Sequence, residues 1–266
     1  MKKITILGVG LALLFGMFVS VASATHSWNG FHWARTQGSF TLQLGDNVSS
    51  TWDSYLATTA SDWSLSNVLD TVVATGATKA SNCKATNGRV EVCSSKYGNT
   101  RWLGVAQVWV SGSHITKATV KANDTYFNTA KYNTSAWRNL VMCQEVGHTL
   151  GLDHQDENFD NPNLGTCMDY TNDPSTNQHT NQHDYDELDI IYAHVDSTNT
   201  VFAYTGNTGG GGNGRGKPDV VGQDIDLNNP SAWGQAVRQD AQGNNSVYVR
   251  DLGNGEKVFT FVTWAQ

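Results

Sequence analysis

Residues 143–154 read CQEVGHTLGLDH, and four of their side chains could hold or deprotonate a reactive water. Positions four apart share one face of an α-helix, so Gln144 and His148 can aim at one spot, with Glu145 beside them. A helix ended by Gly151 lets the chain turn back, and His154 then approaches that spot from outside. Three such ligands leave the fourth position of a tetrahedral Zn2+ to a water, whose pKa falls toward about 7. Glu145 is the carboxylate placed to take that water's proton as general base. Gln144 would contribute an amide oxygen, a neutral and weaker donor than imidazole. Cys143 sits one position earlier and points about 100° away, which favours a structural role over a thiolate ligand.

These residues need a helix and a turn to bring them together. Ser135 is a capping residue, Trp137, Leu140 and Val141 give the following helix an apolar face, and Gly151 can end it. An earlier helix is expected from near Asn47, where Val48, Trp52, Tyr55 and Leu56 recur at helical spacing and Asp46, Asn47 and Ser49 offer N-cap chemistry. Between the two helices the period changes to alternation. Val90 and Val92, Val108 and Val110, then Ala118, Val120 and Ala122 predict three or four strands punctuated by Gly98, Gly104 and Gly112. A long polar loop covers residues 153–183, and DYDELDIIYAHV then reads as a third helix with Leu188, Ile191 and Tyr192 on one face. The order helix, strands, helix, loop, helix predicts an α+β domain.

The motif and its surroundings resemble the metzincin clan of zinc metalloproteases, with likeness to matrixins and serralysins. The clan's HExxHxxGxxH pattern is matched at Glu145, His148, Gly151 and His154, and is departed from at Gln144. Downstream, CMDY resembles the Met-turn, with Met168 as the floor beneath the metal and Tyr170 as an accessory group able to reach it. Gln155, after the third ligand position, matches none of the usual subfamily residues. The resemblance implies a twisted, mostly parallel sheet, an early helix, an active-site helix, a Met-turn and a closing helix. It also implies a Zn2+ cofactor held by Gln144, His148 and His154, with Glu145 as general base acting on a protein or peptide substrate. A metzincin-like binding protein that has lost its chemistry is the alternative.

The chain has 266 residues and opens MKKITILGVGLALLFGMFVSVASA, which reads as a signal peptide over residues 1–24 cleaved after A-x-A, and hence as export. Residues 25–205 are the expected peptidase-like domain, 206–219 a Gly-rich linker, and 220–266 a small β extension with a hairpin around Gly253-Asn254-Gly255. A formal net charge of −7 with no basic stripe argues against nucleic-acid partners, and no stretch after the leader is long and apolar enough for a membrane span. A monomer is expected. The opening THSWNGFHW reads as an arm docked by its tryptophans rather than as metal binding by His26 and His32.

Four cysteines allow three pairings. Cys83 and Cys93 flank the Asn87-Gly88 turn signal and could face each other, leaving Cys143 with Cys167. In a metzincin-like fold the second bridge would tie the active-site helix to the Met-turn. The polar loop carries Asp156, Glu157, Asp160, Asn161, Asp169 and Asp173, oxygen donors that could take structural Ca2+, although no EF-hand spacing is present. His179 and His183 in the same loop are expected to be surface histidines rather than substitutes for the missing ligand.

Overall fold

The computed structural model describes residues 25–203 and 227–266. The leader and the Gly-rich linker fall outside the described residues. Strands β1 (His32–Trp33), β2 (Phe40–Asn47), β3 (Leu69–Thr75), β4 (Val90–Ser95), β5 (Trp102–Ser111) and β6 (His114–Asn123) precede the site, with helix α1 (Asp53–Trp63) between β2 and β3. A short helix α2 (Asp124–Phe127), the long α3 (Ser135–Thr149) and α4 (Gln182–Ile191) follow. Strands β7 (Gln235–Gln239), β8 (Asn245–Gly253) and β9 (Glu256–Trp264) close the chain.

All the strands among the described residues share one sheet, ordered β3-β2-β4-β6-β5-β9-β8-β7, with β1 alongside β6. Pairing is parallel from β3 through β6 and antiparallel from β5 outward to β7. The architecture is thus α+β with a mixed sheet, and the C-terminal residues extend that sheet with a hairpin plus one further strand. The hairpin turn falls where Gly253, Asn254 and Gly255 all take positive φ. The chain end is held as well: Ala265 N–H donates to Arg101 O, and Lys131 Nζ and Tyr132 Oη donate to Gln266 O.

The core lies between the sheet and the α1–α3 pair. Trp33, Trp52, Trp63, Leu42, Leu44 and Leu56 are fully buried there, so much of the tryptophan-rich composition goes into this packed layer. A smaller cluster of Trp102, Val105, Trp233 and Val262 involves β5 and β9, the strands at the junction with the C-terminal residues. Because both faces of β5 are covered, its burial is nearly continuous rather than alternating.

Two expected boundaries shift. The early helix begins at Asp53, not near Asn47, because β2 continues to Asn47 between β3 and β4 and its ladder bonds outweigh the helical spacing of Val48 and Trp52. Strands β2 and β3 were not expected at all. The cap of α3 is Thr134, whose side chain accepts from Trp137 N–H, with Ser135 as the first helical residue. Gly151 takes φ +102° just beyond the helix, and a Cβ there would meet Phe31 O at 2.4 Å. Helix α4 opens on a capping box between Asn181 and Asp184.

Candidate metal centre and its cover

Helix α3 lies on the sheet with nearly every residue from Trp137 onward buried, so its Gln144, Glu145 and His148 face protein rather than solvent. Close approach depends on two glycines. A Cβ on Gly104 of β5 would meet Glu145 Oε1 and Val141 Cγ1 at 2.5 Å, and one on Gly147 would meet Met168 Sδ at 2.5 Å. Met168 is fully buried against α3, and Gln155 N–H donates to Met168 O at 2.7 Å. The Gln155 side chain donates to Asn181 and Asp184, so this departure from the familiar pattern anchors the cap of α4.

The chain reversal after Gly151 brings the two imidazoles together: His148 Nε2 and His154 Nε2 are 3.1 Å apart. Each ring spends its other nitrogen on an acceptor, His148 Nδ1 on Leu152 O at 2.9 Å and His154 Nδ1 on Glu157 Oε1 at 3.2 Å. A carbonyl and a carboxylate accept from N–H, so both Nε2 atoms are left with lone pairs facing each other. Two ligands on a tetrahedral zinc with bonds of about 2.0–2.1 Å sit about 3.3 Å apart, and an acceptor on the far nitrogen is the usual support for a metal-bound histidine. The imidazole pair therefore fits a zinc-type ion. Burial, with His154 next to it, pushes His148 down to about 3, so the ring is neutral and able to ligate at ordinary pH.

Gln144 is held differently. Its Nε2 donates to Cys167 O at 2.9 Å and its Oε1 accepts from Thr263 Oγ1 at 2.6 Å. No hydrogen bond among the described residues joins it to either imidazole. Glu145 is fully buried, its Oε1 lies 2.7 Å from the same Thr263 hydroxyl, and its Oε2 has no hydrogen-bond partner among the described residues. Burial raises its pKa to about 8 against the lowering effect of hydrogen bonds from Thr263 and Ala106. The Tyr170 ring packs on His154 at 4.1 Å between centroids and on Phe159 at 4.9 Å. Its hydroxyl is buried without a hydrogen-bond partner among the described residues, and burial pushes it well above the usual tyrosine range.

Three contacts from the C-terminal strands, none anticipated from the sequence, cover this site. Thr263 of β9 reaches Gln144 and Glu145, Phe261 stacks on His148 with centroids 4.3 Å apart, and Arg238 of β7 pairs with Asp153 and with Glu157 at 3.4 Å. The signal that could have found two of them is the period of VFTFVTW, which puts Phe259, Phe261 and Thr263 on one face and leaves a lone hydroxyl in an apolar row. The cavity beside Gln144, lined in part by Trp137, Tyr170 and Thr263, measures about 10 Å³, room for roughly one water.

Both disulfides join the cysteines paired from the sequence: Cys83 with Cys93 and Cys143 with Cys167. Cys83, however, lies in irregular chain before the Asn87-Gly88 turn rather than on a hairpin strand. Among the described residues, no cluster of three potential ligands includes Asp156, Asp160, Asp169 or Asp173. Asp156 and Asp169 instead accept from the chain around them, including Asn158 N–H and Leu164 N–H. His179 is exposed and pairs with Asp62 at 2.7 Å, while His183 packs against His26. Neither reaches the imidazole pair.

Comparison with protein-family models and with curated proteins finds no match. Among solved structures, the chain is similar to high choriolytic enzyme 1, a hatching enzyme zinc-protease from Oryzias latipes (medaka fish). Identity is 10% and the TM-score 0.34, over 62% of this chain and 95% of that one. A likeness of that size carries no argument about activity, which has to be argued from the chain's own residues.

Proposed function

We propose that this protein is an exported zinc-dependent endopeptidase held in a covered state by its own C-terminal strand. One observation carries the reading: His148 and His154 face each other through bare Nε2 atoms at 3.1 Å, each oriented from behind by an acceptor. Gln144 Oε1 is the available third donor, since a carbonyl oxygen that accepts from Thr263 keeps a second lone pair. The chemistry zinc supplies when bound is acidification of a water toward a pKa of about 7. Glu145 takes the proton of that water and passes it to the leaving amine; a nearby dication favours the carboxylate form that burial alone opposes. The unspent Tyr170 hydroxyl is the donor on hand for a developing oxyanion. Two disulfides suit an oxidising compartment, and no helix among the described residues is long and apolar enough to cross a membrane.

An extended peptide approaching Glu145 would pair with the edge of β5, and β9 already pairs there from Trp102 to Ser111. Hydrolysis on this reading requires β9 to move. A second reading, a catalytically silent binding protein, draws on the same amide: Gln144 satisfies both its polar atoms within the protein, on Cys167 and Thr263.

Zinc content and cleavage of an unfolded protein substrate separate the two. The peptidase reading expects an equivalent of zinc that His154→Ala loses. It also expects hydrolysis that rises when Phe261→Ala and Thr263→Ala loosen the cover, and that falls roughly 10²–10⁴-fold in Glu145→Ala. A wild type that binds no zinc at this pair and cleaves nothing even when loosened, beside a Gln144→His variant that gains both, would leave the silent reading standing.

A further inference from the structure

A second group of imidazoles lies apart from α3. His32 Nε2 is 3.3 Å from Asp196 Oδ1, His114 Nε2 is 3.2 Å from it, and His194 Nε2 is 3.6 Å from it. His194 Nε2 is also 3.1 Å from His32 Nε2. His32, His114 and Asp196 thus lie close enough together to share one ion, and His194 adjoins them through His32 and Asp196. β1 contributes His32, the start of β6 contributes its register partner His114, and the segment beyond α4 contributes His194 and Asp196.

We propose that His32, His114, His194 and Asp196 form a structural zinc site. Four ligands at about 2.0–2.1 Å from a tetrahedral ion stand about 3.3 Å from one another, and four of the six edges of such a tetrahedron are met here at 3.1–3.6 Å. The orientation is set from behind as a metal ligand's would be. His32 Nδ1 donates to Gly30 O at 2.8 Å, which leaves its Nε2 as a bare lone pair pointed at a carboxylate oxygen and at another imidazole nitrogen. Asp196 is fixed by accepting from Arg35 N–H through Oδ2 at 3.0 Å and by its own N–H donating to Arg35 O at 2.7 Å, so Oδ1 alone faces the histidines. One oxygen cannot give three imidazoles a good hydrogen bond each, whereas one cation at the centre satisfies all four donors.

The donor set also selects the metal. Three imidazole nitrogens and one carboxylate oxygen suit zinc and do not suit calcium or magnesium, which take oxygen. His32 is buried, Asp196 nearly so, His114 partly exposed and His194 half-exposed, so a metal can enter from the His194 side. With four protein ligands no position is left for water, which makes the site a staple rather than a second catalytic centre. It would join β1, the β5–β6 turn and the end of α4. The opening arm's His32, which its sequence context suggested was only a packing residue, becomes a ligand. This inference does not rest on the peptidase reading.

The test is zinc per chain and zinc affinity in the purified protein after dialysis against a mild chelator and titration with zinc alone. His194→Ala and Asp196→Asn should each lose one equivalent. The affinity at this site should fall by more than the ~10–100-fold that losing an outer-shell partner costs. His179→Ala, at an exposed imidazole paired with Asp62, should keep the wild-type content. In a His148→Ala/His154→Ala background one zinc should remain, which separates this site from the α3 pair; if that variant does not fold, the wild-type comparison decides. The proposal is overturned if wild type takes no zinc, or if His194→Ala and Asp196→Asn bind as wild type does. A zinc loss in His179→Ala equal to theirs, or a folded His148→Ala/His154→Ala protein without zinc, also overturns it. In those cases His32 and Asp196 are a hydrogen-bonded histidine–carboxylate pair only.

Discussion

Thr263 Oγ1 stands 2.7 Å from Glu145 Oε1, joining residues 118 positions apart in the chain. The same hydroxyl lies 2.6 Å from Gln144 Oε1. One hydroxyl carries one proton, so Thr263 can donate to Gln144 Oε1 or to Glu145 Oε1 but not to both at once. The C-terminal strand thus carries, one residue before its end, a hydroxyl that completes the polar interior of the site.

Thr263→Val keeps the shape and removes the hydroxyl, leaving two buried oxygens short of a partner at a cost of about 1–3 kcal/mol. Thr263→Ser keeps the hydroxyl and should lose only the methyl's share, ~0.8 kcal/mol. Urea denaturation of both variants checks this; equal losses would mean that the hydroxyl contributes nothing.

Stability of the metal-free protein should fall as pH rises from about 4.5 to about 8 because of Glu145. Its folded pKa lies above the unfolded one, so in that window the folded state holds a proton that the unfolded chain has released, and stability falls with pH. The window spans several pKa units, so the effect is on the order of a few kcal/mol. Glu145→Gln should flatten that part of the profile, read as the difference between wild-type and variant denaturation midpoints across the range. A parallel pair of profiles would contradict the assignment.

Gly147→Ala should destabilise the protein by about 1–3 kcal/mol, because the added methyl meets Met168 Sδ at 2.5 Å and Trp63 Cζ2 at 2.7 Å in a closed core. Gly38→Ala, where a Cβ meets nothing within 4 Å, is the control and should change thermal stability little.

Replacing Cys143 and Cys167 together by alanine should cost about 3 kcal/mol, the chain-entropy value for a bridge that closes a loop with a sequence separation of 24. The loss would register as a lower denaturation midpoint under oxidising conditions, with the two proteins converging once both are reduced and the Cys83–Cys93 bridge is open in each. A midpoint that survives reduction would show that α3 and the Met168 turn hold together without the bridge.

The sequence alone determined the local chemistry of this protein. Helical spacing put Glu145 and His148 on α3, Gly151 ended the helix, and the alternating run around Asn254 made a hairpin, because these depend on neighbours within a few residues. The cysteine pairing was equally legible from the short separation of Cys83 and Cys93, although Cys83 lies in irregular chain rather than on the expected hairpin. Strand β2 was hidden because its length is set by ladders to β3 and β4 on both sides, which no local window contains. Only the tertiary structure decided what surrounds the site. The contacts of Thr263, Phe261 and Arg238, and the meeting of His32, His114, His194 and Asp196, depend on sheet order, and β9 pairs with β5 across more than a hundred residues. Spacing can say which side chains could share a helix face. Which strand lies over that face is settled by long-range burial, which no spacing encodes.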